Sequence, residues 1–263
     1  MVKLAITGAA GRMGRRIVAL AMEEPKRFKV VSAMEMAGHA AMGGDVGLLA
    51  GATACGVAIS EAMQGEPQAV IDFSAPSGTL TWVKAARQRK IGIVIGTTGL
   101  TESQLADIAD AASEIPVVQA PNMSVGVNLL FRIVGEVAKA LGPDYDIEIT
   151  ETHHRFKKDA PSGTALGLAR GICQATGKDL EKTLVHGREG LSPRQAGEIG
   201  MHAIRVGDTV GEHSVYFGNL GETITISHSA HTRDTFVRGA LRAAEWIAGR
   251  PAGLYNMQDV LFG

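Results

Sequence analysis

In the stretch ETHHRFKKDAPSGTA, Glu151 to Ala165, two histidines, an arginine and two lysines stand almost side by side, and the chain then enters the pattern of a helix start. Histidine titrates near neutrality and can deliver a proton at working pH. Lysine offers positive charge to an anion, or to negative charge that develops during proton transfer. Pro161 falls in the first helical turn and the hydroxyls of Ser162 and Thr164 can cap it. Such an N-terminus presents backbone N–H groups to a carboxylate, and Gly163 permits close approach. The residues His153, His154, Lys157, Ser162, Gly163 and Thr164 therefore read as a carboxylate cradle with a candidate acid alongside. A capped helix with solvated charges, or a histidine satisfied within a core, are the plain alternatives. Metal binding is not indicated, because neighbouring strand residues point to opposite faces and His153 and His154 do not easily grip one ion. No HExxH or Cys/His cluster accompanies them.

A second motif, TGAAGRMG, places Gly8, Gly11 and Gly14 directly after an apolar run. Its GxxGxxG spacing meets the same demands as the commoner GxGxxG: a tight turn, close backbone approach to a pyrophosphate, and a helix N-terminus for its charge. Glu35 follows 21 residues after Gly14, where an acid can accept from ribose hydroxyls. A dinucleotide site is expected. The carboxylate disfavours a 2′-phosphate and Met36 offers it no charge, although Arg12 and Arg15 can assist one; NADH is favoured over NADPH. GTTG (Gly96–Gly99) and APNMS (Ala120–Ser124) each end a strand, where they either line a nicotinamide pocket or serve only as helix-capping loops.

The elements that must position these residues follow from apolar patterning. VKLAIT (2–7), FKVVSAM (28–34), AVIDF (69–73), GIVIGT (92–97) and PVVQA (116–120) are short, nearly continuous apolar runs alternating with amphipathic stretches. That pattern predicts a parallel sheet covered on both faces. After a helix over 125–140 the pattern changes: YDIEITETHH (145–154) alternates strictly. HAIRVG, EHSVYFG and ETITISHSA, beyond a loop region (178–200), suggest a mostly antiparallel sheet. A last helix over 235–248 resembles the first half. The expected fold class is α/β, a Rossmann-like parallel-sheet domain plus a smaller α+β domain with an open mixed sheet. The boundaries are 1–124 with 235–263 for dinucleotide binding, and 125–234 for substrate binding and oligomerisation.

Composition narrows the field. The formal net charge of -1 argues against general affinity for nucleic acid or membrane surfaces. The two cysteines show neither CxxC nor zinc spacing, and no apolar run approaches a membrane span. The N-terminal segment does not have the layout of a signal peptide, so a cytoplasmic enzyme is expected.

GAAGRMG, GTTG, APNMSVGVN, ETHHRFKKDAPSGTA and VGEHSVYFG occur in the order seen in the bacterial dihydrodipicolinate reductases, and the chain resembles that family over essentially its whole length. The HHxxK…DAPSGTA element is highly specific; the glycine loop is not. The resemblance implies NADH- or NADPH-dependent, metal-free reduction of 4-hydroxy-tetrahydrodipicolinate, a cyclic, imine-like dicarboxylate of the diaminopimelate and lysine pathway, with loss of the 4-hydroxyl as water. It implies His153 as proton donor, Lys157 as second donor or electrostatic partner, and His154, Gly163 and Thr164 at a substrate carboxylate. It places the cofactor at Gly8, Ala9, Ala10, Gly11, Arg12, Met13, Glu35, Gly96, Thr97, Thr98, Ala120, Pro121, Asn122 and Met123. It also implies a homotetramer and closure about hinges near 122–128 and 232–236. Two departures stand out. Met36 replaces the Arg that many members carry after the ribose acid, and Pro121 and Met123 stand where Ala and Phe are frequent. The competing readings are another two-domain NAD(P)-dependent dehydrogenase, which has no reason for HHxxK before DAPSGT, and a non-catalytic NADH-binding redox sensor, for which no recognition helix appears. A metal-dependent hydrolase using the histidine pair is a third.

Overall fold

A computed structural model describes residues 1–263. The chain opens with β1 (Val2–Thr7), α1 (Arg12–Glu23) and β2 (Phe28–Met34), then a short α2 (Val46–Leu49) and a two-residue β3 (Ile59–Ser60). The alternation continues through β4 (Ala69–Asp72), α3 (Pro76–Arg89), β5 (Gly92–Ile95), α4 (Glu102–Ala111) and β6 (Pro116–Gln119). Next come α5 (Val125–Leu141), β7 (Asp146–His153), α6 (Gly163–Thr176), α7 (Leu180–Thr183), β8 (Leu184–His186), β9 (Ile199–Arg205), β10 (Gly211–Asn219) and β11 (Glu222–Ala230). The chain closes with α8 (Asp234–Ile247), β12 (Gly253–Tyr255) and α9 (Met257–Phe262). It divides into two compact units, Met1–Val125 with Asp234–Gly263, and Gly126–Arg233.

In the first unit the strand order is β12-β6-β5-β4-β1-β2-β3, parallel throughout. β1, β2, β4, β5 and β6 are largely buried on both faces, so alternate residues feed two cores, whereas the edge strand β12 is partly exposed. Leu4, Ile6, Ile71, Val94 and Val118 join residues of α1, α8 and α9. Ala5, Val70, Ile93, Ile95 and Val117 join residues of α3 and α4. Burying each large aliphatic side chain contributes roughly 1.5–3 kcal/mol, which is why these short strands need no alternation. Loops leaving the carboxyl ends of β1, β2, β5 and β6 carry the expected cofactor residues.

The second unit has the order β11-β10-β7-β9-β8. β10 is antiparallel to β11 and β7, but β9 is parallel to both β7 and β8. The sheet is thus mixed, not mostly antiparallel: the chain crosses through α6 and α7 before laying down β8 at the sheet edge and β9 between it and β7. The expected loop over 178–200 also contains α7 and β8. Period two puts Ile147, Ile149, Glu151 and His153 on one face of β7, all buried. Ile147 and Ile149 pack with Ile199, Met201, Val215 and Phe217 against α5 and α6. The row then turns from apolar to charged at Glu151 without leaving the interior. No helix is long and apolar enough to cross a membrane.

Candidate active site

Glu151 is fully buried, and its carboxylate is enclosed by donors. Arg205 reaches it with both terminal nitrogens, at 2.8 Å to Oε2 and 2.7 Å to Oε1. The Ser162 N–H donates to Oε1 at 2.9 Å, and His153 Nδ1 lies 2.5 Å from Oε2. Strand register explains the grouping. β9 sets Arg205 opposite His153, β10 sets His213 opposite Glu151, and Ser162 is the N-cap of α6. The His213 ring stands edge-on to His153, centroids 5.2 Å apart, with its Nε2 3.1 Å from Ser162 Oγ.

Electrostatics sort these groups. Burial opposes ionisation of Glu151, but Arg205, His153 and the Ser162 N–H outweigh it and hold the carboxyl below its ordinary range. Burial pushes the His153 imidazolium below 6.5; Glu151 resists, while Lys157 and Arg205 add to the lowering. Burial, with the His153 charge next, pushes His213 down to about 3, so it is neutral at working pH. Of this pair only His153 is hydrogen-bonded to a carboxylate, which favours its protonated form.

The remaining expected substrate residues lie within this unit. β7 ends at His153, one residue earlier than the alternation implied, so His154 follows the strand. Its Nδ1 is buried without a hydrogen-bond partner in the protein. Lys157 Nζ pairs with Asp159 at 2.9 Å. The Ser162 hydroxyl caps α6 by accepting from the Ala165 N–H, and a Cβ at Gly163 would meet nothing within 4 Å, so the first turn has open space before it. Thr164 lies in that turn. No group of three or more His, Cys, Asp or Glu stands in metal-ligating geometry.

The expected cofactor residues line the carboxyl edge of the first unit's sheet. Gly8 has a positive φ of 60°, and a Cβ at Gly14 would fall 2.2 Å from the Gly8 carbonyl oxygen, so the loop folds tightly only with glycine there. Gly11 is the N-cap of α1 and offers no side-chain cap, which leaves first-turn N–H groups for an anion. Glu35 accepts from the Ala10 N–H at 3.1 Å and the Met36 N–H at 3.0 Å, which fixes its carboxylate beside the loop. Arg15 Nε donates to the Ala10 carbonyl at 2.7 Å, and Arg12 is exposed. These features fit a dinucleotide pyrophosphate and ribose. Ala9, Ala10 and Met123 are buried, so only their backbones can face a ligand, whereas Met13 is half-buried. Thr98 and Pro121 are exposed; Asn122 Oδ1 accepts from the Ser124 N–H, and Ala120 continues β6 through a bond to Ile95 O. A Cβ at Gly96 would enter the Phe73 ring.

Sequence reasoning passed over Asp72, Glu151, Arg205, His213 and Gly211. Asp72 is fully buried at the end of β4 and accepts from the hydroxyls of Thr7, Ser74, Thr79 and Thr97 at 2.5–2.7 Å, which knits the ends of β1, β4 and β5 together. A carboxylate closing an otherwise apolar run, AVID, was the available signal. For Glu151 the signal was an acid on the apolar face of an alternating strand.

The family models for dihydrodipicolinate reductase match the chain twice, the N-terminal one over residues 2–123 and the C-terminal one over residues 126–261. The chain belongs to the dihydrodipicolinate reductase family. The 4-hydroxy-tetrahydrodipicolinate reductases of Geobacter metallireducens and Citrifermentans bemidjiense are 50% and 49% identical to it, and each alignment covers 99% of both chains. Among solved structures, a dipicolinate-bound dihydrodipicolinate reductase from Paenisporosarcina sp. TG-14 shares the fold, with a TM-score of 0.76 over 97% of both chains at 23% identity. The mixed sheet of the second unit and the parallel sheet of the first are therefore the family's fold.

Proposed function

We propose that the chain catalyses NAD(P)H-dependent reduction of 4-hydroxy-tetrahydrodipicolinate to tetrahydrodipicolinate, with loss of water, in diaminopimelate and lysine synthesis. The observation that carries this reading is the convergence of His153, Lys157 and the α6 N-terminus in a chain half identical to reductases of that name. The dicarboxylate substrate suits the site. One carboxylate meets the first-turn N–H groups of Gly163 and Thr164, with His154 and Ser162 alongside. Lys157, on a short tether to Asp159, offsets the second negative charge.

Bound nicotinamide supplies the hydride; the protein supplies the proton. His153 engages Glu151 through Nδ1, so the proton leaves from Nε2. Lys157 stabilises negative charge that develops during transfer and keeps the His153 proton labile. Gly8, Ala9, Ala10, Gly11, Arg12 and Met13 hold the pyrophosphate, Glu35 takes the adenosine ribose hydroxyls, and Gly96 to Thr98 and Ala120 to Met123 flank the nicotinamide. NADH is preferred: Glu35 occupies the place a 2′-phosphate needs, and Met36, 70% exposed, offers that phosphate no charge. A homotetramer is supported by the second unit's sheet, whose β11 is exposed along most of its length and carries Thr223 and Thr225. Light scattering tests that assembly.

The test follows nicotinamide absorbance with substrate made in situ from pyruvate and aspartate semialdehyde by the upstream synthase, NADH and NADPH in parallel. Consumption that requires the synthase, faster with NADH, is expected. His153→Gln and Lys157→Ala should each lower kcat by about 10²-fold or more. Measurable NADH binding without turnover would sink the reductase reading, and near wild-type kcat in both variants would sink the proton assignment.

A further inference from the structure

We propose that Glu151, clamped by Arg205 and the Ser162 N–H, is the positioning residue that sets the tautomer and orientation of His153, and that Gly211 keeps the donating nitrogen uncovered. The clamp rests on the reading of His153 as proton donor.

A carboxylate that receives four hydrogen bonds has a fixed orientation, and Glu151 receives two from Arg205, one from the α6 N-cap and one from His153. Because the carboxylate is ionised, it only accepts, so the neutral imidazole must carry its hydrogen on Nδ1. That is the tautomer left behind when an imidazolium gives up its Nε2 proton. The product of proton transfer is thus the form the pocket already favours, and the ring need not turn. A Cβ at residue 211 would stand 3.0 Å from His153 Nε2, so a glycine at the start of β10 leaves that nitrogen clear.

Arg205 has a second effect. A lone buried carboxylate would hold the imidazolium proton tightly, whereas one neutralised by a guanidinium does so less. The groups facing His153 are Glu151 on its own strand, Arg205 from β9, His213 from β10 with His228 beside it in register on β11, and Lys157 and Asp159 from the segment after β7. The net result is a histidine oriented by a carboxylate but not made a weak acid by it.

Three measurements test the clamp. Nitrogen-15 NMR of histidine-labelled wild-type protein should show neutral His153 with hydrogen on Nδ1 and a bare Nε2; the opposite tautomer overturns the proposal. Glu151→Gln should lower kcat by about 10²-fold while NADH affinity stays within about 2-fold. It should also move the alkaline limb of the rate profile to lower pH, since a proton donor must stay protonated and the carboxylate is what raises the His153 pKa. The double variant Glu151→Gln/Arg205→Met removes both buried charges, so no unpaired guanidinium remains to unfold it. Its turnover should stay low; recovery to within about 3-fold of wild type would show a merely structural ion pair and overturn the clamp. A wild-type protein that binds NADH but never consumes it sinks the donor reading instead, and the tautomer measurement then still decides what Glu151 does to His153.

Discussion

Acid should loosen the second unit well before its carboxylates protonate, and His213 makes the effect quantitative. The residue is 4% exposed and its folded pKa is pushed down to about 3 by burial, with the His153 charge next. In the unfolded chain a histidine titrates at about 6.5. Above that pH both states are neutral at this position and the stability is fully present. As pH falls below it, the unfolded chain takes up a proton that folded His213 refuses, and stability is lost. Each pH unit in that window costs about 1.4 kcal/mol per proton, so the fall from 6.5 to 4.5 removes about 2–3 kcal/mol through this residue. His153 and His228, also lowered by burial, act in the same direction. Carboxylates such as Glu151 contribute only below their own ordinary range. The perturbation is His213→Gln, whose amide can still meet the Ser162 hydroxyl. Urea titrations between pH 7.5 and 4.5 (assay conditions, approximately) would follow far-UV circular dichroism at constant protein concentration. Trp82 and Trp246 both belong to the first unit, so their fluorescence serves as an internal reference. Wild type should lose stability steeply across the window and the variant by about 2 kcal/mol less. Equal slopes in the two proteins would refute the reasoning.

Two further substitutions probe the first unit. Asp72→Asn puts an amide donor where hydroxyl protons converge, and should cost about 1–3 kcal/mol of stability by urea denaturation, with weaker NADH binding; a loss below about 0.5 kcal/mol would mean the hydroxyls simply reorient. Glu35→Ala removes the acceptor held beside Ala10 and should raise the Kd for NADH about 10-fold by calorimetry, leaving the pH profile of kcat alone. Unchanged affinity would dismiss the ribose contact.

The parallel sheet was legible because its strands are buried on both faces and so announce themselves as apolar runs; β1, β2, β4, β5 and β6 all do. β3 and β12 were not legible, being two and three residues long and specified by pairing with β2 and β6 rather than by their own pattern. The second sheet's strands showed by alternation, but their directions did not, because period two is the same for parallel and antiparallel neighbours. The histidine–lysine cluster and the capped helix start were legible as types in sequence. The support behind them was not. Arg205 reaches Glu151 across 54 residues of chain, and only the pairing of β7 with β9 brings the two together.

The return of residues 234–263 to the first unit sets an order of events at the ribosome. α8 contacts β1, β4, β5 and β6, and β12 completes the sheet beside β6, yet both are synthesised after the whole of residues 126–233. At about 5–20 residues per second, the nascent sheet waits roughly 5–20 s with the apolar face meant for α8 uncovered. The second unit, continuous in sequence, can close first. Ser124 Oγ and Thr235 Oγ1 lie 3.1 Å apart, so the two strands of chain that lead to it leave the first unit at a single point. The first unit can therefore close only after residues 234–263 have been made, and they act as its latch.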